Sequence, residues 1–287
     1  MTIYAVANRK GGVGKSTVAT MLAYGFSAVR GQNVLLIDLD AQCNASLILF
    51  GGQNWSNARI KGRNIADYFG DCFDHSVQDI GYYIFPDVGD IGNPGKNVPN
   101  LSLTPGSLIL EDIEHELLHA RAPGRALGEA EENVIGRMQV LLEKLCKGYS
   151  CVVLDCPPGL SFATKSAIRL AHMVIVPFRP DFVSNFAVDR ISFLIEGKAN
   201  LDTLDEIPHK ERRYRALGNF MTDEAVAQER LQDIEAYHPV LTTQIPLDDQ
   251  IASSFNWRAQ RVSIDAKFGR KGAKIVKALV DEVAALA

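Results

Sequence analysis

Short, almost unbroken apolar runs alternate along the chain with longer stretches in which apolar residues return every three or four positions. Runs at 3–7, 33–38, 101–105, 151–155, 173–178, 214–221 and 240–246 predict strands. Strands covered on both faces show such continuous apolar character rather than strict alternation. Helices are predicted over about 15–30, 107–120, 161–171 and 186–197, in a polar stretch after 221, over 247–257 and near 270–286. Strand and helix in repeated alternation predict an α/β fold, a doubly wound, mostly parallel sheet flanked by helices. No long linker and no internal repeat interrupts the pattern, so residues 1–287 are expected to form one domain. The stretch 51–100, rich in Gly, Asn and Asp, suggests a short hairpin and a mobile loop but stays unassigned.

Composition sharpens this picture at three points. Hydrophobic residues make up 47% of the 287, enough for a full core. A net charge of −4 confines any nucleic-acid contact to a local patch. The five cysteines form no C-x-x-C pair, which predicts free thiols in a reducing compartment. No run approaches 18 apolar residues and the first ten residues lack a signal-peptide pattern, so a cytoplasmic protein without membrane spans is expected.

The chemistry begins at "ANRKGGVGKSTV", residues 7–18, between a predicted strand and a predicted helix. That context confirms a phosphate-binding loop. Gly11, Gly12 and Gly14 let the backbone N–H groups, Val13 included, turn inward around phosphate oxygens, and the helix N-terminus adds its positive dipole end. Lys15 is placed to reach the β- and γ-phosphates and Ser16 to reach Mg²⁺. The second strand ends in Asp38 and Asp40, where open parallel sheets bind ligands. Carboxylates two apart on an extended segment point the same way, so both are candidates to face the metal and the γ-phosphate. A later strand closes on Asp155, the pattern of a Walker-B metal carboxylate, followed by the stiff turn Pro157-Pro158-Gly159.

Where the common loop pattern opens on glycine, this chain has Arg9, and a second lysine follows at Lys10. A loop closed around its phosphates can turn that side chain away from its own cradle. The charge is then idle unless a partner brings phosphates to it. The pattern predicts a homodimer with two nucleotides between the subunits, each Lys10 neutralising the opposite γ-phosphate as an arginine finger does.

At these residues the chain resembles the ParA/MinD family of deviant Walker ATPases, whose loop K-G-G-x-G-K-[ST] is matched by Lys10 to Ser16. The resemblance continues through "DLDAQCNAS", "LSLTPGSLILEDIEHEL", "VVLDCPPGLSFAT", "VIVPFRPDF" and "IPLDDQIASSF", in order along nearly the whole chain. It implies an ATP hydrolase using ATP and Mg²⁺, with Lys10 acting across the dimer and Thr17 contacting the α-phosphate. It further implies Asp38 in the switch-I metal site, Asp40 orienting the attacking water and Asp155 as the Walker-B residue. Asn219 falls where the family places an adenine-contacting asparagine, and Pro246 and Asp248 fall in the segment lining the adenine pocket. Ala41 and Cys43 depart from the family's usual proline and glycine, which puts the timing of the switch in question rather than its chemistry. The loop starts at residue 8, so the short ParA type is expected, without an N-terminal helix-turn-helix.

Between 257 and 277 seven cations face one acid, a local excess of +6 in a chain of net −4. They are Arg258, Arg261, Lys267, Arg270, Lys271, Lys274 and Lys277; Arg270, Lys274 and Lys277 share one helix face. Phosphate contacts of this kind give sequence-independent DNA binding. With the resemblance they imply a nucleoid-associated positioning ATPase stimulated by a ParB-like or other cargo-bound partner. A second cluster, "HKERRYR" at 209–215, is a candidate extension. The MinD branch needs a bulky basic amphipathic tail; "KALVDEVAALA" is small and acidic and is expected to pack on the core. An iron–sulfur ATPase of this fold needs a cysteine ligand pair that the sequence does not offer.

Overall fold

The computed structural model describes residues 1–73, 75, 79–92 and 100–286. Its first elements are β1 (Thr2–Val6), α1 (Lys15–Tyr24, extended by a π-turn to Val29), β2 (Val34–Asp38), α2 (Asn44–Ile60), α3 (Ile65–Cys72) and β3 (Leu101–Thr104). Next come α4 (Leu110–Arg121), α5 (Leu127–Cys146), β4 (Cys151–Asp155), α6 (Phe162–Leu170), β5 (Met173–Phe178), α7 (Phe182–Glu196) and α8 (Leu201–Leu204). The chain closes with β6 (Tyr214–Met221), α9 (Ala225–Glu235), β7 (Ile245–Pro246), α10 (Asp249–Ser253) and α11 (Ile264–Ala284).

Seven strands form one sheet in the order β3-β2-β4-β1-β5-β6-β7, and every pair is parallel. Side chains alternate across a strand. Ile3 and Ala5 of β1 therefore join one core with α3 to α7, while Tyr4 and Val6 join another with α1 and α11. The register pairs Asp155 with both Val6 and Asp38, which sets two carboxylates beside the start of the phosphate loop.

Three elements differ from expectation. Helix α5 lies where no element was predicted, although Ala130, Val134, Ile135, Met138, Leu141, Leu142 and Leu145 are buried at helical spacing. The run 240–246 contributes only Ile245–Pro246 and a single bridge from Val240 to Ala216. Its Thr242 and Thr243 N–H groups donate instead to the Glu282 carboxylate of α11, at 2.6 and 2.9 Å, and Pro246 has no N–H to give a ladder. In 51–100 the structure has the rest of α2, α3 and a short 3₁₀ turn at Ile80–Tyr83. The hairpin expected there reduces, among the described residues, to one antiparallel bridge between Phe85 and Leu103. The expected mobile loop includes 93–99, which lie outside the described residues. The end of α11 packs on the core as expected, with Leu279, Val280 and Val283 buried.

Candidate functional site

The end of β1 and the N-terminus of α1 enclose a cleft of about 550 Å³ lined by Gly11, Gly12 and Gly14 to Thr17, with Asp40 and Pro158 opposite. Gly14 holds φ +84°, and a Cβ there would come within 2.2 Å of the Asn219 amide. Only glycine suits that combination of left-handed backbone and close approach. Lys15 lies inside the cleft, its ammonium donating to the Lys10 carbonyl at 3.2 Å. Burial lowers its pKa from the usual lysine value, and Asp155 and Asp40 act against that shift.

Lys10 is turned the other way. It is absent from the cleft wall, and its ammonium donates to Asp181 Oδ2 at 2.5 Å, with Ser184 Oγ at 3.5 Å. Asp181 also accepts the Ser184 N–H at 3.0 Å and so caps α7. A partner 171 residues away carries no signature in the sequence around Lys10.

The carboxylates divide. Asp40 lines the cleft and accepts the Gln42 N–H at 2.8 Å. Asp38 is buried behind it, one oxygen accepting the Ser46 N–H and hydroxyl at 2.8 and 2.6 Å, the other the Asp40 N–H at 3.1 Å. The two therefore do not share one orientation, because the strand ends at Asp38 and the chain turns. Both oxygens of buried Asp155 lack a hydrogen bond of ordinary geometry among the described residues, although the nearby Ser16 side chain acts to lower its pKa. Burial, opposed by the bonds from Ser46 and Asp40, pushes the Asp38 carboxyl up to about 6. Burial and the neighbouring Asp38 push Asp155 well above the carboxylate range. An orphaned buried carboxylate beside a second one is the donor set of a cation site. Among the described residues no group of three or more His, Cys, Asp or Glu could hold a metal by itself. Ser16, Asp155 and Asp38 are the candidate cation ligands, with both Asp38 oxygens already accepting hydrogen bonds.

The loop after β2 carries a feature the sequence hides. Cys43 adopts φ +55°, the left-handed region that favours glycine. Gly106, after β3, backs the same loop: it donates to Ser46 Oγ at 2.8 Å, and a Cβ would stand 2.9 Å from Asp38 Cγ and 3.1 Å from the Asp40 carbonyl. Gly106→Ala is expected to destabilise the protein by about 1–3 kcal/mol through overpacking. Thermal and urea denaturation measure this, and an unchanged midpoint means that the loop accommodates the methyl.

Asn219 and Pro246 lie on adjacent strands, β6 and β7, whose register pairs Asn219 with Ile245 and Met221 with Pro246. Asn219 packs on the phosphate loop, donating to the Val13 carbonyl at 2.9 Å. Pro246 lines a separate cleft of about 320 Å³, and Asp248 caps α10 by accepting the Gln250 and Ile251 N–H groups. Next to Asn219, Phe220 holds φ +60° and the Arg179 guanidinium stacks 4.4 Å from its ring centroid.

Of the basic residues, Arg258, Arg270, Lys271, Lys274 and Lys277 are exposed. Arg261 is half-buried and donates to the Asp87 and Gly89 carbonyls. Lys267, counted in the charge of that stretch, is buried in an ion pair with Asp90. In the cluster at 209–215, Arg212 and Arg215 are buried and donate mainly to backbone carbonyls, which removes two of its cations, while His209 and Lys210 are exposed. All five cysteines are buried free thiols, as expected. No helix among the described residues is long and apolar enough to cross a membrane.

A phosphate loop between β1 and α1, carboxylates on the adjacent strand ends and a second lysine ahead of the usual one define a deviant Walker P-loop protein. The sequence family described as "AAA domain" matches residues 1–200, and the chain belongs to that family. It is 32% identical over 190 residues to a provisionally named replication protein A of Rhizobium rhizogenes, covering 66% of this chain and 43% of that protein. It is 29% identical over 193 residues to the sporulation initiation inhibitor protein Soj of Bacillus subtilis, 67% of this chain and 63% of that protein. The chain thus spans less than two thirds of either relative. The fold is shared with a provisionally assigned plasmid partition protein of Borrelia burgdorferi bound to AMPPNP, at TM-score 0.66 and 20% identity over 100% of this chain and 99% of that one.

Proposed function

We propose that the chain is a partition or positioning ATPase that dimerises with ATP, binds DNA without sequence preference and releases it when a cargo-bound partner stimulates hydrolysis. The observation that carries this reading is the pair of lysines: Lys15 inside the phosphate cleft, Lys10 turned out of it. In this reading the loop amides and Lys15 hold the phosphates, Thr17 the α-phosphate, and Asn219, Pro246 and Asp248 the base side. Ser16, Asp155 and Asp38 would hold Mg²⁺, which neutralises charge between the β- and γ-phosphates when bound. Asp40 orients the attacking water, and Lys10 completes the partner's site. The cargo class is left to the activating partner.

The metal assignment has a pH signature. A carboxyl whose folded pKa lies above its unfolded value binds its proton more tightly in the folded state. The stability it contributes is complete below the ordinary 3.8 and is lost as pH rises through about 6 for Asp38. The nucleotide-free protein in chelator is therefore expected to lose thermal stability as pH rises from about 4 to about 6. Mg²⁺ with an ATP analogue stabilises the ionised pair and removes that loss. An equal fall with and without Mg²⁺ contradicts the assignment.

The DNA reading rests on the exposed cations of α11 and the loop before it. Neutralising phosphates releases counterions, so log affinity falls linearly with log salt by about 0.9 per phosphate. A dimer presents two copies of the patch, which couples DNA binding to ATP. Gel shifts on two unrelated duplexes should show tight binding with ATP, weak binding with ADP and equal affinity for both sequences. The variant Arg258→Ala/Arg270→Ala/Lys274→Ala/Lys277→Ala should lose affinity and slope while still dimerising. Full affinity in that variant places the DNA surface elsewhere.

A further inference from the structure

The stretch that the sequence left unassigned seats the basic loop between α10 and α11. The Val262 N–H donates to the Asp90 carbonyl and the Gly92 N–H to the Val262 carbonyl, both at 2.9 Å, around a parallel bridge between Ile91 and Val262. The Arg261 guanidinium donates to the carbonyls of Asp87 at 2.5 Å and Gly89 at 3.4 Å. The buried Asp90 carboxylate accepts the Arg258 N–H at 2.9 Å, the Tyr24 hydroxyl at 2.7 Å and the Lys267 ammonium. Lys267 in turn donates to the Asn256 carbonyl at 3.0 Å. On the far side Trp257 covers Gly51, where α2 breaks at φ +73° and a Cβ would lie 2.7 Å from the indole.

A buried ion pair is a weak source of stability, because desolvation offsets its attraction. What this one does is fix geometry. It pins the backbone of Arg258 while leaving the Arg258 side chain exposed, with a 3.4 Å contact to the Ala266 carbonyl. A cation held in place loses less conformational freedom on binding than one on a free loop. We propose that residues 87–92, through Asp90, are the seat that presents Arg258 to the DNA backbone. Asp90 and Lys267 are then positioning residues for DNA binding, and Arg261 belongs to the seat rather than to the phosphate contacts. The inference rests on the DNA-binding reading above.

The test uses the full chain with an ATP analogue, two unrelated duplexes and a salt series, with dimerisation followed by sizing chromatography. Asp90→Ala/Lys267→Met removes both charges together, so no buried charge is left unpaired; Asp90→Asn/Lys267→Met keeps an acceptor for the Arg258 N–H. The Ala double variant is expected to dimerise normally, bind several-fold more weakly and lose as much salt slope as Arg258→Gln, about 0.9 per protomer. Adding Arg258→Gln to it should change nothing further, and the Asn double variant should bind like the wild type. Independently of how those buried variants fold, Arg261→Gln retains a donor for the Asp87 carbonyl and should keep the full slope. Wild-type slope in the Ala double variant, additivity with Arg258→Gln, failure of the Asn variant to restore binding, or a slope lost in Arg261→Gln each overturn the proposal. A wild-type protein with no salt-dependent duplex binding is a separate result: it removes the DNA reading itself.

Discussion

Lys10→Ala is expected to bind ATP nearly as tightly as the wild type and to remain monomeric with it. The Lys10 ammonium lies against Asp181 outside the phosphate cleft, so its removal takes no contact from the chain's own nucleotide site. What it takes, in the sandwich arrangement proposed, is the cation that meets the opposite γ-phosphate. Cations supplied in trans to phosphoryl transfer are worth about 10³–10⁵ in turnover. Hydrolysis should fall on that scale along with the dimer. Lys15→Ala should behave differently, because Lys15 sits within the cleft. Losing a charged hydrogen bond of about 1.5–3 kcal/mol weakens nucleotide binding itself by roughly 10- to 100-fold. Asp181→Ala frees Lys10 from its pairing and should lower the analogue concentration needed for dimerisation. Sizing chromatography with a slowly hydrolysed ATP analogue, beside a nucleotide titration, separates the three variants. A normal ATP-dependent dimer in Lys10→Ala refutes the trans assignment.

Asp40→Ala is expected to bind ATP, dimerise and stay on DNA, with turnover reduced by about 10²–10⁴-fold. Asp40 stands on the cleft wall across from the phosphate loop, and its oxygen is braced by the Gln42 N–H at 2.8 Å. A group that orients water acts on the transition state for hydrolysis more than on the bound ground state, so kcat falls while affinity holds. Single-turnover hydrolysis and DNA residence time measure the two halves of this expectation. Wild-type turnover in Asp40→Ala would show that another residue positions the water, and Asp155 would then be the next candidate.

The sequence alone determined the strand framework, the phosphate loop and the three acidic positions at the sheet's C-terminal edge. These are local matters. A buried parallel strand announces itself within five or six residues, and the loop's glycines, lysine and serine act through their own backbone and the helix they begin. The buried face of α5 is equally local, written at Val134, Met138, Leu141 and Leu145 at helical spacing. Tertiary structure alone decided which charges are free to act. Arg212, Arg215 and Lys267 look like surface cations in sequence, yet each is buried: Arg212 and Arg215 donate mostly to groups a few residues away, Lys267 to an Asp90 that lies 177 positions away. The same holds for Asp181 beside Lys10 and for Glu282, which takes the N–H groups of Thr242 and Thr243 out of the sheet. Residue type sets whether a side chain carries charge. Whether that charge meets water, a partner or a carboxylate depends on packing, and for Lys267 with Asp90, Lys10 with Asp181 and Thr242 and Thr243 with Glu282 no short window along the chain contains both members.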